Sequence, residues 1–156
     1  MYEKTASQVE IFQGLDKRQI DELYSWMERR DFSANTEILA EGDVPNGLFM
    51  LCEGRVTVTK ASARGRFKLD EIPAPSFFGE VALLDPAVRS ASVKALTQVT
   101  TGFLSSEIFD AKIRAQNLTA LLIALNLGRM LCKRFRAVTS TLAVKTAAIS
   151  KYRPTR

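Results

Sequence analysis

Between Thr36 and Leu104 no apolar run lasts long before a turn residue interrupts it. Gly42-Asp43 and Pro45-Asn46-Gly47 punctuate first, and LFMLCEGRVTVTK follows, with Val56 and Val58 alternating against Thr57 and Thr59. Ser62 and Gly65 mark a hairpin tip, FKLDEI carries a second alternation, and Pro73 and Pro75 end it. Ser90–Leu96 and Thr100–Leu104 read as two more strands. Strands this short, separated by glycine and proline turns, must find partners across many residues. They close into an antiparallel barrel or jelly roll.

Helical periodicity flanks this region. Residues 1–31 read as helical, with Asp16 as a cap ahead of Ile20, Leu23, Tyr24 and Met27. Phe12 and Leu15 pack as a turn before that helix. Ser105 or Ser106 caps a further helix carrying Ile108, Phe109 and Ile113. Asn117 then opens a long helix running to Thr146. Ala120, Ala124, Leu127, Leu131, Phe135, Val138 and Leu142 form a nearly heptad stripe, and Leu118, Leu121, Leu122 and Leu125 form a second. Two apolar faces require two covering surfaces: one can lie on the barrel, and the other is expected to meet a second copy of the chain unless the N-terminal helices cover it. The expected fold is therefore α+β, mainly β. It is an antiparallel jelly-roll barrel with N-terminal helices, a short helix between strands and a long C-terminal helix. One domain spans 1–146, and 147–156 is expected to be a basic, flexible tail.

With no histidine among 156 residues, the Ser-His-Asp and Cys-His arrangements and imidazole metal ligands are excluded. Cys52 and Cys132 make neither a disulfide framework nor a CxxC metal site. No nucleophile–base pair can be named, so a binding module is expected rather than an enzyme, with no metal. MYEKTASQVE lacks a signal pattern, and Leu118–Leu127 is too short to span a bilayer. A cytoplasmic location and no membrane partner follow as expectations. Residues 1–110 hold 12 Lys+Arg against 17 Asp+Glu, whereas 111–156 hold 10 Lys+Arg and no acid. That imbalance leaves three readings of the C-terminal part: a solvated face, a site for an acidic partner, or a non-specific nucleic-acid contact.

The stretch FFGEVALLDPAVRSASV breaks the strand pattern at Phe77–Val93. Gly79 permits tight backbone geometry, and Glu80–Leu84 makes a short helical turn with amide donors at Val81 and Ala82. Arg89 follows the turn as a bidentate phosphate partner, and Ser90 adds a hydroxyl. Glu80 repels a phosphate placed directly against it but accepts from nearby hydroxyls. The two charges either pair with each other or hold a ligand having both a phosphate and a ribose hydroxyl.

This stretch resembles the phosphate-binding cassette of the cyclic nucleotide-binding domain family. FGE stands at Phe78-Gly79-Glu80, and the spacing to Arg89 is without a gap. Ile38, Gly42, LFMLCEGRVTV and FQGLDKRQIDEL extend the resemblance over roughly residues 11–136. It implies that Arg89 pairs with the cyclic phosphate, that Glu80 accepts from the ribose 2′-hydroxyl, and that Gly79, Val81 and Ala82 offer amides. Ser90 would donate to phosphate or base, and the long helix would close over the purine. Arg129, Cys132, Lys133 and Arg136 share one helix face and are the candidate lid residues. Val88 stands where the family usually has proline, and Pro75 where it usually has glycine. Ser90 after the arginine resembles bacterial cyclic-AMP receptors, so cyclic AMP is expected ahead of cyclic GMP. Only ten residues follow Thr146, too few for a helix-turn-helix. The expected role is a stand-alone sensor that homodimerises through the long helix and re-aims it towards a protein partner. The alternatives are a ligand-free scaffold and a nucleic-acid binder.

Overall fold

The computed structural model describes residues 9–85 and 87–150, with side chains up to residue 144. A 3-10 turn at Glu10–Phe12 precedes helix α1 (Lys17–Ser25). Asp16 and Gln19 form a reciprocal capping box at the start of α1: the Asp16 carboxylate accepts from Gln19 N–H, and the Gln19 amide oxygen accepts from Asp16 N–H, both at 2.9 Å.

Eight strands follow: β1 (Glu28–Phe32), β2 (Glu37–Leu39), β3 (Gly47–Glu53), β4 (Arg55–Ser62), β5 (Gly65–Pro73), β6 (Ser76–Phe78), β7 (Ser92–Ala95) and β8 (Val99–Ser105). They pair antiparallel in two four-stranded sheets, ordered β1-β8-β3-β6 and β2-β7-β4-β5. Helix α2 (Ser106–Arg114) leads to the long helix α3 (Leu118–Ser150). The jelly-roll expectation is met.

The barrel interior is filled by Phe49, Leu51, Val56, Phe78, Val93, Val99 and Phe103. A second core packs Leu48, Met50 and Leu104 against Ile11, Leu23, Trp26, Phe109, Ile123 and Leu127. Alternate residues of β3 thus enter different cores. This is why GLFMLC reads as a continuous apolar run rather than an alternating one.

Two boundaries differ from expectation. Residues 28–32 form a strand, not the end of a helix, because β1 pairs with β8 from Glu28↔Phe103 to Phe32↔Val99. Sheet pairing overrides local preference there. The ion pairs Glu28–Arg30 and Arg29–Asp31 lie two residues apart, a spacing that suits a strand. Helix α3 also runs to Ser150, past Thr146 and into the expected tail, while residues 151–156 lie outside those described.

Candidate nucleotide-phosphate site

The segment between β6 and β7 carries the site. Gly79 has φ 74° and ψ 16°, and a Cβ there would lie 2.9 Å from the Arg89 Nη1. Only glycine suits that left-handed turn against the guanidinium. Glu80–Leu83 then forms one 3-10 turn. Ala82 N–H donates to Gly79 C=O at 3.3 Å, so the amide expected to be open for a ligand closes the turn instead. A single turn also has little macrodipole to offer an anion. Ser106 at the start of α2 holds the turn from below, its Oγ donating to Ala82 C=O at 3.0 Å.

Arg89 is clamped at its backbone. Its N–H donates to Asp43 C=O and its C=O accepts from Gly42 N–H, both at 2.9 Å. The residue is 7% exposed. Nη1 donates to Gly79 C=O at 2.9 Å, and Nη2 donates to Asn46 Oδ1 at 2.9 Å and Gly47 C=O at 2.8 Å. These three bonds leave two of the five guanidinium N–H donors. Burial pulls the Arg89 guanidinium below its ordinary value, while the nearby charges of Glu80 and Asp43 oppose that shift.

Glu80 is also buried, at 6% exposure, yet its ion-pair partner among the described residues is not Arg89. Arg134 of α3 donates from Nη1 to Glu80 Oε1, and its guanidinium stands 6.0 Å from the Phe77 ring centroid. The two buried charges therefore have separate partners.

A cavity of about 660 Å³ opens over this arrangement. Gly79, Glu80, Val81, Ala82, Arg89 and Ser90 all line it, so the structure brings the six cassette candidates together. Its apolar wall comes from the barrel through Val58, Leu69 and Ile72, and from α3 through Leu131 and Val138. The volume lies within the range of small-molecule sites.

The four lid candidates lie elsewhere. Arg129, Cys132, Lys133 and Arg136 line a different cavity, of about 750 Å³, together with Glu10, Gln13 and Gly14. Lys133 pairs there with Glu10. The reason is the phase of α3, whose barrel-facing side is fixed by the buried Ala120, Ile123, Leu127 and Met130. Continuing that face by helical steps gives Leu131, Arg134 and Val138. Arg134 lies seven residues beyond Leu127, and that spacing was the signal the basic-face reading passed over. Asn46 was legible only as a turn residue. Among the described residues no group of three or more Cys, Asp or Glu is placed to hold a metal, and no helix is long and apolar enough to cross a membrane.

The jelly roll thus brings a buried arginine and a buried glutamate to one cavity. The profile of the cyclic nucleotide-binding domain matches residues 29–116, more than half of the chain, and the chain belongs to that family. Human cGMP-dependent protein kinase 2 is 35% identical over 105 residues, which is 67% of this chain and 13% of the kinase. The cyclic AMP receptor protein of Thermus thermophilus is 30% identical over 127 residues, or 81% of this chain and 57% of the receptor. Among solved structures, the Thermus thermophilus catabolite activator protein superposes with a TM-score of 0.80 at 28% identity, covering 88% of this chain and 63% of that one. The chain thus spans a small part of its kinase relatives and a little over half of the bacterial receptor.

Proposed function

We propose that this chain binds a cyclic mononucleotide at the cassette, cyclic AMP ahead of cyclic GMP, as a non-catalytic regulatory module contained in residues 1–146. The observation that carries this reading is the partnering of the two buried charges. Arg89 is held by three neutral oxygens rather than by a carboxylate, and it lines the cavity with donors to spare. A buried cation without an ion pair favours an anion arriving from outside. The cyclic phosphate meets Arg89, with Val81 N–H as a further donor. Glu80 uses Oε1 for Arg134 and leaves Oε2 for the ribose 2′-hydroxyl. Ser90 at the rim completes the phosphate or base contact. The preference for cyclic AMP rests on Ser90, as in bacterial cyclic-AMP receptors, and on the longer span of similarity to the Thermus receptor than to the kinase.

Glu80 joins the sugar site to α3, because its partner Arg134 belongs to that helix. Nucleotide binding that draws the cassette inward pulls on the same contact and shifts α3. Such coupling requires that the ligand prefer one helix position over the other. The surface that moves is the outer seam of α3: Leu121, Leu125, Gly128, Cys132, Phe135 and Thr139 recur at spacings of 4, 3, 4, 3 and 4. Phe135 is 70% exposed and Leu125 49%. A parallel second copy would cover that seam. In that pairing Arg129 and Arg136 flank the seam opposite Ala124 and Leu131, so like charges do not meet. The module is expected to act in the cytoplasm on a protein partner.

Titration calorimetry of the full chain with cyclic AMP and with cyclic GMP tests the proposal. Saturable 1:1 heat is expected, reduced at least about a hundredfold in affinity by Arg89→Ala. No heat from either nucleotide with folded wild-type protein overturns it.

A further inference from the structure

We propose that Asn46 is a positioning residue for the nucleotide phosphate, acting through Arg89. This rests on the nucleotide-binding reading above and extends it to a residue outside the cassette. Of the three oxygens that hold the Arg89 guanidinium, two are main-chain carbonyls, of Gly79 and Gly47. The third is Asn46 Oδ1, the one side-chain acceptor that the described residues give it. The backbone at this point is rigidly held. Asn46 C=O accepts from Ser106 N–H at 3.0 Å. A Cβ at Gly47 would come within 2.1 Å of Leu104 C=O, so the chain beside Asn46 is pressed against β8.

Arg89 lines the cavity, but neither Asn46 nor Gly47 does. Asn46 therefore holds the guanidinium from the side away from the ligand. Its bond and the Gly47 bond together occupy Nη2, which fixes the plane of the fork and leaves the remaining donors, on Nε and Nη1, for a phosphate oxygen. Without Asn46 that donor would have no fixed acceptor, and the guanidinium could rotate about the Gly79 and Gly47 bonds. The donors that remain reach a phosphate oxygen only in the right orientation of the guanidinium plane, so the loss is felt at the phosphate. Ser106 ties the same loop to the cassette, because it donates from N to Asn46 and from Oγ to Ala82. The acceptor and the cassette turn thus share one anchor.

A double-mutant cycle read by calorimetry with cyclic AMP tests this. Asn46→Ala in the wild-type background is expected to weaken binding about tenfold. In the Arg89→Lys background, where no fork exists to be oriented, the same change is expected to weaken binding by less than about twofold. Asn46→Gln keeps a neutral side-chain acceptor and is expected to recover affinity to within about threefold of wild type. Thermal unfolding of each variant, measured without nucleotide, separates binding from stability. An Asn46→Ala chain that binds like wild type overturns the inference, and so does an equal loss in both backgrounds. A wild-type chain that binds neither cyclic AMP nor cyclic GMP overturns the proposed function, and this inference with it.

Discussion

Glu80 and Arg89 lie nine residues apart and are both buried, yet each bonds to something else. Removing one member of a buried ion pair strands the other. Arg134 is half exposed, which screens the pair and discounts its worth. Arg134→Ala is accordingly expected to lower the unfolding free energy by roughly 1 kcal/mol, read from urea denaturation without nucleotide. An unchanged midpoint would show that Glu80 finds water in place of the guanidinium. The cassette residues were legible because a fixed local spacing carries them: Gly79, Glu80 and Arg89 fall within eleven positions. Asn46 and Arg134 come from 43 and 45 residues away from Arg89, and only the fold brings them in. Arg134 was within reach of helical arithmetic once the buried face of α3 was known. Asn46 was not, because a turn asparagine ahead of glycine has a sufficient local explanation.

Helix α3 does two jobs along its length. Its first half is nailed to the body: Ala120, Ile123 and Leu127 are buried, and Asn117 and Thr119 donate to the Glu22 carboxylate on α1. Those two bonds hold the Glu22 carboxyl below its ordinary value of 4.5. A lowered folded value means that the unfolded chain takes up its proton first as pH falls. The stabilisation is therefore complete above about pH 4.5 and is lost on further acidification. Glu22→Gln is expected to flatten the fall of melting temperature between pH 6 and 3; an unaltered profile would remove Glu22 from the account. The second half of α3 projects exposed apolar residues. Light scattering is expected to find a dimer, and Phe135→Glu a monomer. Diamide oxidation should cross-link Cys132 to its copy in the dimer, whereas a wild-type monomer at micromolar concentration would count against the seam. The heptad spacing announced an extra surface, but the sequence alone assigned the stripe containing Ala120 and Leu127 to neither covering partner. Burial assigns Ala120 and Leu127 to the body and leaves Phe135, Val138 and Leu142 of the same stripe exposed.

At the scale of the molecule, the barrel positions the cassette and α3 closes one wall of its cavity. The overall architecture was readable because short punctuated strands between helical segments admit few arrangements. The strand β1 was not, since ERRDF has no apolar alternation of its own and takes its conformation from β8. Two cavities of similar size flank α3, one lined by Arg89 and the other by Arg129, Lys133 and Arg136. Both offer cations, so affinity alone does not tell them apart. A crystal structure of the chain with cyclic AMP does. One nucleotide per chain is expected, its phosphate on the Arg89 guanidinium, its ribose hydroxyl on Glu80, and Arg134 still tied to that carboxylate. Nucleotide seated instead among Arg129, Lys133 and Arg136, with the Arg89 cavity empty, would contradict it.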